Sequence, residues 1–163
     1  MSEKTIPAPS KPSKTMERFE NPRPERPYEI AFDCPEFTCL CPLTGQPDFA
    51  NIEIKYQPGQ YCVELKSLKM YLWSYRDEGA FHEAVTNQIC DDLINLMDPE
   101  KITVTASFWV RGGITTVVTV SHNKDGNAPI TLVNAGERQI NRLRVPVIQP
   151  PSPLEDDVIG GIE

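Results

Sequence analysis

Cys41 lies in the run Cys39-Leu40-Cys41-Pro42-Leu43-Thr44-Gly45-Gln46-Pro47-Asp48, a polar stretch punctuated by prolines rather than an apolar stripe. A thiol in such a loop is a candidate nucleophile, because the reactive species is the thiolate and it needs a polar, accessible setting. Cys90, inside an apolar helical run, is the weaker candidate, and Cys34, Cys39 and Cys62 are less distinguished. Loop position alone leaves a second role open for Cys41, that of a small buried hydrophobe, which is the commoner fate of a free cysteine. Asp48 follows seven residues later, and a turn at Thr44-Gly45-Gln46-Pro47 would return its carboxyl toward the sulfur. Thiolate attack on an unsaturated carbon leaves charge on the partner atom, which a positioned carboxylic acid can protonate. An aspartate that merely caps a turn is the plainer alternative.

Other groups are weaker by themselves. His82-Glu83 stands at a helix start, where a carboxylate also interacts well with the helix dipole. Lys66 and Lys69, three apart on one helix face, suit an anion, although solvated lysines are the default. Cys39-x-Cys41 with His82 or His122 offers soft ligands of the kind zinc takes, but no Cys-x-x-Cys knuckle is present and the spacing is wrong for a finger, so no metal is expected. With no Gly-x-Gly-x-x-Gly and no Walker loop, a Rossmann or P-loop nucleotide site is not supported.

The elements that must position these groups can be read from periodicity. Residues 28–33 suggest a short strand, and in 50–57 the apolar Ala50, Ile52, Ile54 and Tyr56 alternate with polar neighbours, as in a half-buried strand. The stretch between them, with Pro35, Pro42, Gly45 and Pro47, reads as a long loop. From Glu64 the period becomes helical through Leu65, Leu68, Leu72 and Tyr75 until Gly79, and a second helix carries Phe81, Val85, Ile89, Leu93, Leu96 and Met97 up to Pro99. Ile102 to Val110 and Ile114 to Val120, joined at Arg111-Gly112-Gly113, form a hairpin. The order ββααββ predicts an α+β fold, an antiparallel four-stranded sheet with two helices on one face. Its open edges and uncovered face favour a homo-oligomer.

The 163 residues fit one domain with tails. Six of the 16 prolines fall in residues 1–27 and four in 146–153, so the expected layout is a flexible segment 1–27, a folded domain 28–122 and an irregular extension 123–163, with Ile130–Val133 and Leu143–Ile148 as possible extended pieces. A net charge of −7 argues against a nucleic-acid surface. Five cysteines, an odd number, and the absence of an apolar leader or membrane run point to reduced thiols in a cytoplasmic protein.

Together, Cys41-Pro-Leu-Thr-Gly-Gln-Pro-Asp48-Phe-Ala, Glu64-Leu-Lys-Ser-Leu-Lys-Met-Tyr71-Leu, Phe81-His82-Glu83 and Arg111-Gly-Gly113 resemble one family, the short single-domain NADPH-dependent 7-cyano-7-deazaguanine reductases of queuosine biosynthesis, a tRNA modification. The resemblance covers residues 28–121 and rests on four motifs in order. It implies the tunnelling fold, assembled into rings with ligand sites between subunits. It implies Cys41 as the thioimide-forming nucleophile and Asp48 as the proton donor. Val63, Glu64, Leu65, His82 and Glu83 would contact substrate, the run Glu64 to Tyr71 is associated with NADPH, and Lys66, Lys69 or Arg111 could meet cofactor phosphates. The implied reaction adds the thiolate to the nitrile and delivers hydride twice, giving the aminomethyl product. The rivals are an amidine-forming transferase on the same nitrile, a zinc hydrolase of the same fold, and a non-catalytic binding module. The intact signature speaks against the first, the missing zinc ligands against the second, and retention of both Cys41 and Asp48 against the third.

Overall fold

The structure, a computed structural model, describes residues 10–126. Its elements are β1 (Arg18–Glu20), β2 (Ile30–Leu40), β3 (Pro47–Gln57), β4 (Tyr61–Val63), α1 (Leu65–Trp73), α2 (His82–Met97), β5 (Lys101–Arg111) and β6 (Ile114–Asn123). β2, β3, β5 and β6 form an antiparallel sheet in that order, and β1 pairs with β4 as a separate two-stranded ribbon. The expected ββααββ frame is the one found.

Strand alternation decides which face becomes the core. Ala50, Ile52, Ile54 and Tyr56 of β3 pair with Phe108, Ala106, Val104 and Ile102 of β5, and all eight are buried. Against that face pack Leu68 and Tyr71 of α1 and Val85, Ile89, Cys90, Leu93 and Met97 of α2, one contiguous core. Each fully buried aliphatic side chain contributes roughly 1.5–3 kcal/mol, so this layer carries the fold. The opposite face stays open at Phe49 and Trp109, whose rings stack 5.3 Å apart, and Val110, Ile114 and Val117 are exposed beside them.

The 34–49 stretch is not the long loop its prolines suggest. β2 runs on to Leu40 and β3 begins at Pro47, leaving only 41–46 as the connection. The strand survives because its ladder shifts register between Cys34 and Phe37, which leaves Pro35 and Glu36 in a bulge on an edge strand. There the missing proline N–H costs no ladder bond. The bulge also inverts the phase. Phe32 and Cys34 face the core before it, Phe37 and Cys39 after it, and Cys41 continues the second phase.

Two further expectations change. Residues 10–27 hold regular structure after all: β1 pairs with β4, Ser13 N–H donates to the Met70 carbonyl, and Glu64 N–H donates to the Glu17 carbonyl. No proline falls between Pro12 and Pro22, so the pairing of β1 is intact. The first helix ends at Trp73, not Gly79. Residues 78–80 instead clamp the end of β2, with Leu40 N–H on the Glu78 carbonyl at 2.8 Å and Ala80 N–H on the Leu40 carbonyl at 3.0 Å. The extended pieces expected at Ile130–Val133 and Leu143–Ile148 lie outside the described residues. No helix among the described residues is long and apolar enough to cross a membrane.

Candidate functional site: a thiol, a carboxylate and a guanidinium

The loop after β2 is closed by two backbone bonds, Cys41 N–H to the Gln46 carbonyl and Gly45 N–H to the Cys41 carbonyl, both 2.8 Å. Gly45 takes φ +69°, a conformation a side chain rarely tolerates, and so lets the chain fold back within six residues. Closure aims the Thr44 hydroxyl and the Leu43 and Thr44 backbone N–H groups at the Cys41 sulfur. These donors, and lastly Arg111, favour the charged form and bring the thiol down from 9.0 to about 7. Cys34, Cys39 and Cys90 go the other way, pushed up to about 11 by burial. Cys41 is thus the thiol set apart by its surroundings, though not for the reason of exposure: only 3% of it is accessible. Hydrogen bonding, not solvent, makes its thiolate favourable.

Asp48 enters from the second residue of β3, opposite Cys39 in the ladder, and is buried. Arg111 Nη1 donates to both its oxygens, 2.6 Å to Oδ1 and 2.9 Å to Oδ2, while Nη2 donates to Cys41 Sγ at 3.3 Å. Arg111 reaches them because the β5–β6 ladder shifts between Phe108 and Arg111. With unbroken alternation Arg111 would point away from the face that Phe108 occupies. The Gly112-Gly113 turn, with φ +58° and +82°, ends the strand immediately after it.

α2 supplies the third side. His82 Nε2 lies 3.3 Å from Asp48 Oδ2, and its ring stacks on Phe108 with centroids 3.6 Å apart and planes 6° from parallel. Glu83 stands beside it, exposed, as the acidic residue of the helix's first turn. Cys41, Asp48, His82, Glu83 and Arg111 line one cleft with Pro42, Ala80 and Phe81. No group of three or more His, Cys, Asp or Glu side chains forms a metal-ligand set among the described residues.

The other expected site residues lie elsewhere. Val63 is buried at the end of β4, and Leu65, Lys66 and Lys69 are exposed on α1. Glu64 caps that helix: its carboxylate accepts the Lys66 and Ser67 N–H groups at 2.9 and 2.7 Å, which hold it below the usual carboxylate range. None of these five lines the Cys41 cleft. Within the Glu64–Tyr71 run two polar side chains are committed inward. Ser67 Oγ accepts Glu17 N–H at 2.9 Å, and Tyr71 OH bonds Tyr75 and Asp92 in the core. The sequence reading missed Leu43 and Thr44 as donors to the thiol. Its signal was the Thr44-Gly45 pair, with a left-handed glycine four residues past the cysteine. Arg111, which the resemblance offers with Lys66 and Lys69 as a candidate for cofactor phosphates, has its guanidinium between Cys41 and Asp48 with its side chain 48% exposed.

A family model described as QueF-like protein matches residues 47–127. The NADPH-dependent 7-cyano-7-deazaguanine reductase of Anaeromyxobacter sp. (strain Fw109-5) is 62% identical over 116 residues, 71% of this chain and 95% of that protein. The enzyme of the same name from Thiobacillus denitrificans (strain ATCC 25259 / T1) is 59% identical over 126 residues, 77% of this chain and 91% of its own. Among solved structures, the apo form of the archaeosine synthase QueF-Like matches with a TM-score of 0.54 at 17% identity, covering 63% of this chain and 96% of that one, which fixes the tunnelling fold and nothing finer. The chain belongs to the family of NADPH-dependent 7-cyano-7-deazaguanine reductases.

Proposed function

We propose that this protein reduces the nitrile of 7-cyano-7-deazaguanine to the aminomethyl group with NADPH, in the cytoplasm and in the service of queuosine synthesis, and that Cys41 captures the nitrile carbon as a thioimide. The observation that carries the reading is the Cys41–Arg111–Asp48 contact, a thiol lowered to about 7 beside a carboxylate that can receive and return a proton. Cys41 adds to the nitrile carbon, and Asp48 protonates the nitrogen. His82, held flat on Phe108, orients the Asp48 carboxylate, and Glu83 accepts hydrogen bonds from the donor-rich edge of the deazapurine. Bound NADPH supplies the two hydrides. The exposed Lys66 and Lys69, one turn apart on α1, fit its phosphates.

The cleft around Cys41 holds only about 90 Å³, well below the roughly 300 Å³ at which small-molecule pockets begin. Val63, Glu64 and Leu65 lie outside it. Both facts support a homo-oligomer in which the α1 start of one copy closes the Cys41 cleft of the next, with the open Phe49–Trp109 face buried in assembly. The catalytic unit is then residues 28–122 together with the β1 strap, and the chain's net charge of −7 argues against direct tRNA binding. The test is NADPH absorbance on mixing protein with 7-cyano-7-deazaguanine. Wild type should consume two NADPH per nitrile and Cys41→Ala none. Equal rates, or consumption of nitrile without NADPH as an amidine-forming transferase would show, contradicts the reading.

A further inference from the structure

Asp48 has two tasks that conflict. To protonate the nitrile nitrogen it must carry a proton, yet it sits as acceptor of two bonds from the Arg111 guanidinium. The proton must therefore reach it during the reaction, and the thiol of Cys41 is the group that must lose one. The other titratable groups around the pair are Cys39 on β2, fully buried and held as the neutral thiol, and His82 and Glu83 at the start of α2.

We propose that Arg111 is a further catalytic residue of the reaction described above: its guanidinium spans Cys41 Sγ and the Asp48 carboxylate, so that negative charge passes from carboxylate to sulfur while remaining on one cation. The steps balance without an outside reagent. The thiol proton moves from Sγ to Asp48. The thiolate then forms the S–C bond as one π bond of the nitrile breaks, and Asp48 gives the same proton to nitrogen and returns to carboxylate. Cys41 and Asp48 are both buried, so separating their charge from its counterion is costly, and a fork with one nitrogen on each acid removes that separation. A lysine ammonium, a single point of charge, cannot hold both acids in this geometry. The bulge that turns Arg111 inward, and its bidentate hold on Asp48, are what a purely cofactor-binding arginine would not need.

This inference takes its substrate from the reductase reading, and the experiment separates the two. The full chain is compared with Arg111→Lys and Arg111→Met. Iodoacetamide labelling is followed against pH and placed on Cys41 by fragment-ion masses, because Cys34 and Cys39 share its peptide between Arg26 and Lys55. Adduct formation with 7-cyano-7-deazaguanine is followed without NADPH, and the KM for NADPH is measured separately. Arg111→Met should raise the labelling midpoint above about 7 and slow adduct formation about tenfold or more. Arg111→Lys should restore much of the midpoint but little of the adduct rate. A wild-type midpoint and adduct rate in Arg111→Met with only a raised KM for NADPH would make Arg111 a cofactor ligand and overturn the proposal. If Arg111→Met melts early, Arg111→Lys decides: an unchanged adduct rate overturns, a slowed one at wild-type melting temperature supports. If wild type forms no adduct, the reductase reading fails, and the labelling midpoints of the same proteins still decide for or against Arg111 as the cation on Cys41.

Discussion

The imidazole of His82 lies flat on the ring of Phe108, centroids 3.6 Å apart, with its Nε2 turned to Asp48. A β5 core residue thus sets the orientation of a group on α2, across the layer between sheet and helices. Phe108 is buried, so Phe108→Ala should cost about 3–5 kcal/mol in urea unfolding. Phe108→Leu should keep most of that stability, but His82 loses its stacking surface, and kcat/KM should fall about tenfold. Equal activity in the leucine variant would mean that His82 is held by the helix alone.

Thr44 gives the largest push to the Cys41 thiol. The shift is downward, so the thiolate is populated through pH 7 and lost below it. Thr44→Val removes the hydroxyl and keeps the shape. The midpoint of Cys41 labelling should then rise, and the labelling rate at pH 7 should fall severalfold. A profile identical to wild type would leave the Leu43 and Thr44 backbone donors as sufficient.

Gly79 stands against the catalytic loop, where an added Cβ would lie 3.3 Å from Pro42 Cα. That atom is backbone and can yield only by moving the loop. Gly79→Ala should therefore lower kcat while changing the melting temperature little, since Gly79 packs against Pro42, the residue next to Cys41, rather than in the core. A fully active alanine variant would show that the loop has slack.

Much of this arrangement was legible in the sequence. The alternation in β3 and β5 and the apolar stripe of α2 gave the sheet, the helices and the buried face, because those elements follow a single period from end to end. What periodicity hides is a change of phase. The bulge at Pro35-Glu36 turns Cys41 to the core side, and the shift after Phe108 turns Arg111 to meet it. Read by strict alternation, neither residue points at the other. The prolines of 35–47 read as a loop and so suggested an exposed thiol at Cys41, which the continued strand buries. The β1 strap was hidden differently: three residues paired to three others carry no period at all.

Ser67 ties that strap to the helix, accepting Glu17 N–H and donating to the Glu64 carbonyl at 2.8 Å. It is largely buried, so Ser67→Ala leaves the Glu17 N–H without its partner and should cost about 1–2 kcal/mol. Chemical denaturation measures the loss directly. A neutral change would mean that water replaces the hydroxyl and that the strap is not needed to hold the helix start.

The most direct measurement of the central claim is the intact mass of the protein after mixing with 7-cyano-7-deazaguanine in the absence of NADPH. Cys41 acting as nucleophile gives one added substrate mass per chain, on the Cys41 peptide, lost on adding NADPH and absent from Cys41→Ala. An unmodified wild-type mass, or the same adduct on Cys41→Ala, would contradict it.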